Sequence, residues 1–136
     1  MNSLILSRMA QLLFWLIGLL SLYVLYRGHD LPGGGFVGGL MATMAVAIIA
    51  LADGIPAARQ RIRSGPLSLI AAGMLAALAS GLPGLFTAGS FLKHAWLQFP
   101  NGFKIGTPLL FDVGVYLVVL GGGLAIIFRF YARARQ

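Results

Sequence analysis

A lone carboxylate, Asp112, stands inside the apolar run LLFDVGVYLVVLGGG, Leu109 to Gly123. A second polar group, made of Arg27, His29 and Asp30, opens the joint RGHDLPGGGFVGGL, Arg27 to Leu40, which lies between two stretches almost free of charge. Few other side chains here could do acid–base chemistry, because the whole chain carries 3 Asp+Glu and 2 His. A charge at the bilayer centre costs ~2.5–3.5 kcal/mol on insertion scales, so residues such as Asp112 usually face protein or water. Lying about a turn in from Pro108 reduces that cost through the helix dipole and nearness to the surface. Asp112 therefore reads either as a dipole-compensated anchor, paired with Arg27 or with a partner protein, or as a contact to a partner or an ion pathway.

The joint leaves two readings open as well. Asp30 can cap the amide end of a following helix, where the dipole favours a carboxylate by ~0.3–1 kcal/mol, with Arg27 snorkelling to the interface. The rival is a cluster accessible to protons or cations, for which the ordinary pKa of histidine, about 6.5, is suited. Gly33, Gly34 and Gly35 each cost roughly 0.5–1 kcal/mol against alanine when ordered in a helix, so something must need them. Either another helix passes closely over bare backbone, or an unwound turn offers its N–H and C=O groups to a ligand or ion. A nucleotide loop is discounted, since no GxxxxGK[ST] pattern is present and no βαβ unit precedes the glycines.

Several function classes drop out. No HExxH set or nucleophile–base pair is visible, so neither catalytic nor metal-ligating residues are assigned and no cofactor is expected; the chain does not read as an enzyme. With Cys 0, neither disulfides nor cysteine metal sites are available.

The elements that must hold these residues are membrane spans. Only 10% of the 136 residues are charged and 59% are hydrophobic, against ~25% charged in soluble domains, and the mean hydropathy is +0.90. One membrane domain covering 1–136 with four helices is expected, over 9–26, 34–52, 67–90 and 108–128. The first run is too long for a signal peptide's apolar core, and no cleavage-type sequence follows it. Asp53-Gly54-Ile55-Pro56 ends the second span, and Arg59, Arg61 and Arg63 form a short basic loop. Pro83 predicts a kink or an end in the third span. The stretch Lys93 to Lys104 is polar enough for a surface, with Trp96, Phe99 and Phe103 suited to the headgroup region. Thr107 and Pro108 read as N-cap and first helical position of the last span.

The net charge of +7 does not call for nucleic acid, because the basic residues flank the apolar runs and orient them. Four spans place Arg8, Arg59, Arg61, Arg63, Arg129, Arg133 and Arg135 on one side, against Arg27, Lys93 and Lys104 on the other. The positive-inside rule then sets both termini in the cytoplasm. Asp53 reads as a surface residue. Small residues recur four apart, as in Gly34 with Gly38, Gly35 with Gly39 and Thr43, Gly73 with Ala77 and Gly81, and Gly121 with Ala125. Lipid provides no hydrophobic reason for helices to associate, so such seams hold them together. Some are read as meant for other subunits, the alternative being that they pack these four helices alone.

Two stretches carry a resemblance. GHDLPGGGFVGGL (Gly28 to Leu40) and LLFDVGVYLVVLG (Leu109 to Gly121) resemble the signature segments of the B subunit of Mrp-type, or Mnh-type, cation/proton antiporters. The resemblance implies an all-α integral membrane protein in the bacterial cell membrane, partnered by other membrane subunits of a complex that exchanges Na+ for H+. Proton-conducting lysines and glutamates belong, in that family, mainly to the two large antiporter-like subunits, and this chain has no lysine or glutamate within any apolar run. The B subunit is similar to an assembly and coupling partner, with part of the cation route an added expectation. Subunit-interface or ion-route candidates are His29, Asp30, Pro32, Gly33, Gly34, Gly35, Phe36, Gly38, Gly39, Asp112, Gly114 and Tyr116. The alternative is a self-contained homo-oligomeric transporter or channel with the PGGGF joint as its ligand site.

Overall fold

The computed structural model describes residues 3–28, 33–88, 96–98, 100 and 104–134. Five helices appear in chain order: α1 (Leu4–Arg27), α2 (Gly34–Asp53), α3 (Ile55–Arg61), α4 (Pro66–Ala88) and α5 (Thr107–Arg133), with strands β1 (Trp96–Gln98) and β2 (Lys104–Gly106) between the last two. Four helical segments are long and apolar enough to cross a membrane, and together they make the molecule an all-helical membrane domain.

Local signals set the helix limits. Ser3 caps α1, its Oγ accepting from the Leu6 N–H at 3.0 Å, so the helix starts one turn before the apolar run and carries Arg8 on its exposed surface. At the other end of α2, the N–H of Gly54 donates to the Ala50 carbonyl, and a φ of 89° at Gly54 turns the chain out of the helix. The α5 helix begins at Thr107 with Gly106 as its cap, so Thr107 is the first helical residue rather than the cap; Pro108 lies in the first turn. Its last turns run past the apolar segment to Arg133.

Two expectations are corrected. The basic segment after α2 is no loop but the short helix α3, with Pro56 in its first turn; burying Ala58 completely and packing Ile55 and Ala57 on the core gives the helix its reason to form. Of the kink or end expected at Pro83, the end is absent, since α4 continues through it to Ala88. Helices in lipid tolerate proline because neighbouring groups and local adjustment can satisfy the freed carbonyl. The stretch read as polar enough for a surface, whose secondary structure its composition leaves open, contains an antiparallel pair, with Trp96 opposite Gly106 and Gln98 opposite Lys104. The side chains of Trp96, Phe99 and Phe103 lie outside the described residues.

Contacts across the glycines fix the arrangement. Gly38 of α2 meets Ser21 of α1, and Gly33 meets Val24, so α1 and α2 are antiparallel. Gly35 meets Asp112, Gly39 meets Val119 and Thr43 meets Gly123, so α2 and α5 run in the same direction. Gly73 meets Val118 while Gly121 meets Pro66, which makes α4 antiparallel to α5. The lateral order is thus α1, α2, α5, α4. Both described ends of the chain, with α3, gather at one end of the bundle, and the turn after α1 and the β-ribbon lie at the other. The core is built mainly from α2 and α5, through Val46, Ile49, Leu120, Leu124 and Phe128, with Ala10 and Ala58 added from α1 and α3. Outward, Leu12, Leu16, Leu19, Leu51, Leu75 and Phe86 are exposed, as lipid contact permits.

Adjacent glycines on α5 offer a test. A Cβ on Gly121 would lie 2.7 Å from the Pro66 carbonyl, whereas one on Gly122 would meet nothing within 4 Å. Gly121→Ala is expected to cost ~1–3 kcal/mol by forcing α4 off α5, and Gly122→Ala to be neutral or stabilising by up to about 1 kcal/mol. Thermal unfolding of both variants in detergent reads the difference; equal behaviour contradicts the packing described.

Candidate functional site

The start of α2 lies under α5. Gly33 (φ 148°) and Gly34 (φ 83°) hold conformations that L side chains rarely adopt, and they let the chain enter the helix directly beneath Asp112. The cap position of α2 is Gly33, with no side chain to cap it. Both carboxylate oxygens of Asp112 lie 3.5 Å from where a Cβ on Gly34 would sit. One residue on, a Cβ on Gly35 would overlap the Asp112 carbonyl oxygen itself. Only glycine allows backbone to run on backbone here.

This arrangement gives the carboxylate a specific electrostatic partner. The first N–H groups of a helix lack intrahelical acceptors and carry partial positive charge. Asp112, half-buried on α5, sets its carboxyl group against that end of α2. The dipole of the neighbouring helix favours a carboxylate there, whereas the first turn of α5 itself holds no acidic residue. Arg27, weighed as its ion partner, is exposed at the last turn of α1.

One turn further along the same face, Tyr116 lies against Gly38 and Gly39. A Cβ on Gly38 would be 2.9 Å from the Ser21 carbonyl and 3.2 Å from the Tyr116 ring, so α1, α2 and α5 converge at this glycine. The Ser21 hydroxyl is fully buried and bonds the Gly18 carbonyl at 2.7 Å and the Tyr116 hydroxyl at 3.1 Å. Since the serine proton is directed to Gly18, the tyrosine donates to the serine oxygen, making a chain Tyr116 to Ser21 to Gly18. Beside this pair an apolar groove of about 220 Å³ opens between Trp15 and Gly18 of α1, Ala42 and Val46 of α2, and Leu120 of α5.

The site candidates divide accordingly. Gly33, Gly34, Gly35, Gly38, Gly39, Asp112 and Tyr116 come together where α2 meets its neighbours. Gly114 does not join them: it faces α4, where a Cβ would lie 2.7 Å from the Gly73 carbonyl and the Ala77 amide nitrogen. Phe36 is 57% exposed and points away from the bundle. His29, Asp30 and Pro32 lie outside the described residues. Sequence reasoning missed Ser21, a polar residue in an apolar span whose spacing carries no signal of a partner on α5. It also left Thr43 without a partner, although that side chain bonds the Gly39 carbonyl at 2.9 Å and packs on Gly123. The glycines at the start of α2 are buried by this chain's own helices, and the same holds for Gly73, Gly114 and Gly121 between α4 and α5.

Four spanning segments joined by glycine contacts describe a small polytopic membrane protein. The chain belongs to the family described as a domain related to the MnhB subunit of Na+/H+ antiporter, whose pattern matches residues 5–125. It is 35% identical over 130 residues to the B-type subunit of the Na(+)/H(+) antiporter of Bacillus subtilis (strain 168), covering 93% of this chain and 91% of that protein. Similarity also extends to a probable K(+)/H(+) antiporter protein of the combined A/B type from Rhizobium meliloti (strain 1021), at 33% identity over 85% of this chain and 12% of that one. Among solved structures, a chain of the Mrp complex from Dietzia sp. DQ12-45-1b superposes with a TM-score of 0.79 at 44% identity, over 90% of this chain and 13% of that chain.

The hydroxyl pair makes a prediction of modest size. Tyr116→Phe removes one interhelical hydrogen bond, which in membrane bundles is worth about 0.6 kcal/mol on average. A double-mutant cycle of Tyr116→Phe with Ser21→Ala, read by unfolding in detergent, is expected to return a coupling of about that magnitude; additive effects argue against the bond.

Proposed function

We propose that this chain is the B-type membrane subunit of a multi-subunit bacterial Na+/H+ antiporter, and that Asp112 over the Gly34–Gly35 backbone forms the part of it that bears on ion movement. Family membership over residues 5–125 supports its place in such a complex. The observation that carries the site is the carboxylate held 3.5 Å from the Cβ position of Gly34, at the amide end of a helix whose cap residue is Gly33. An intramembrane carboxylate on a helix start is a place where a passing cation exchanges attraction with a fixed dipole. Its protein partners are the other membrane subunits, and its work is packing and positioning rather than covalent chemistry. The names of its relatives include both Na+ and K+, so transport assays carry both ions.

In vesicles containing the assembled complex, Asp112→Asn is expected to lower sodium/proton exchange at least about tenfold, a loss of ~1.4 kcal/mol in the exchange step, while the complex is still recovered. Gly35→Leu, which would drive a side chain into the Asp112 backbone, is expected to lower recovery itself. Full exchange by Asp112→Asn would remove the carboxylate from the route, and full recovery of Gly35→Leu would remove the joint from assembly.

The excess of arginine on their side of the four spans supports a cytoplasmic position for both termini. Because the chain contains Cys 0, single cysteines at positions 61 and 27 report sidedness directly. A membrane-impermeant thiol reagent added outside intact cells is expected to label the cysteine replacing Arg27 and to spare the one replacing Arg61; the reverse pattern inverts the orientation.

A further inference from the structure

At the end of the bundle where α3 lies, the arginines are not organised by carboxylates. Arg59 lays its guanidinium over the Phe128 ring of α5, 4.9 Å from the centroid, and Arg61 lies 5.8 Å from the ring of Phe14 on α1. Among the described residues, Asp53 is the acidic group at this end, and the arginines here make no ion pair. A guanidinium held over an aromatic ring still has its N–H groups to offer, and that planar fork matches two oxygens of a phosphate or carboxylate.

Beside Arg59 the fold leaves room for such a group. A cavity of about 270 Å³ is lined by Ile55, Pro56, Arg59, Phe128, Tyr131 and Ala132, between α3 and the last turns of α5. Its wall is apolar apart from Arg59 and the Tyr131 hydroxyl, a second donor. On the far side of Ala132, Arg129 and Arg133 border a neighbouring hollow with Ile126 and Phe130, adding positive charge within the same turns of the helix. Apolar walls beneath cationic donors, at the level where a spanning helix leaves the hydrocarbon, suit a molecule with a phosphate head and greasy tails.

We infer that the cavity between α3 and α5 binds the phosphodiester of an anionic phospholipid, with Arg59 as the principal ligand and Tyr131 as a second donor. Basic hollows between spanning helices are suited to anionic head groups, and each nearby cation adds to the attraction. The site depends on α3 being helical, because the helix sets Arg59 on Phe128. It does not depend on the antiport role or on Asp112, which lies toward the other end of α5.

The test uses the full chain in detergent micelles, titrated separately with phosphatidylglycerol, phosphatidylcholine and inorganic phosphate, and followed by native mass spectrometry. The expected result is that phosphatidylglycerol binds about tenfold or more tightly than phosphatidylcholine, with Arg59→Ala abolishing that preference, Arg59→Lys keeping part of it and Tyr131→Phe weakening it. Arg27→Ala, at the opposite end of the bundle, should leave it unchanged. Equal binding of the two lipids, or an undiminished preference in both Arg59→Ala and Tyr131→Phe, overturns the assignment. Displacement of phosphatidylglycerol by millimolar inorganic phosphate also overturns it, by showing a free-anion site. Should Arg59→Ala fail to fold by circular dichroism, Tyr131→Phe and Arg59→Lys carry the comparison.

Discussion

Everything in this bundle rests on backbone approaching backbone where α2 crosses α5. In water, apolar side chains would drive two helices together; in lipid the tails are as apolar as leucine, and close packing must supply the attraction. Gly35 under the Asp112 carbonyl, Gly39 under Tyr116 and Gly123 against Thr43 bring the two axes near enough for that attraction to accumulate along three turns. The parallel course of the two helices follows from the same contacts. It also puts the amide end of α2 at the level of the one charged side chain on α5's apolar run, so electrostatics and packing share a single register.

The spans were legible because absence of charge over a run of about 20 residues has few other meanings. Ends were less so. Nothing in Arg59, Arg61 and Arg63 signals a helix, since α3 forms by burying Ala58 and packing Ile55 on the core, and a seven-residue segment has little propensity of its own to reveal. The strands β1 and β2 have three residues each, too short for alternation to be read.

For the site, residue types were visible and neighbours were not. Glycines four apart announce that something will come close, but which helix comes, and in which direction, depends on the crossing of the whole bundle. Gly114 shows the difficulty. It belongs to the same short stretch as Asp112 and Tyr116, yet a residue two places from each turns to the opposite side of a helix, and it ends against Gly73 of α4. Ser21 shows the converse, a polar side chain already bonded within its own helix to Gly18 that gains a role from Tyr116, 95 positions along the chain.

The lateral order also dictates a sequence of events during synthesis. The antiparallel pair α1 and α2 can dock as soon as residue 53 has emerged, and it is complete without help. The α4 helix has no such early companion, because the surface it rests on belongs chiefly to α5, from Gly114 to Gly121, which is made later. It must wait in the bilayer unaccompanied, with its serines and glycines turned to lipid, until the final helix arrives and wedges between it and the first hairpin. The α5 helix is therefore the keystone, and a nascent chain cut short before it would leave one helix adrift.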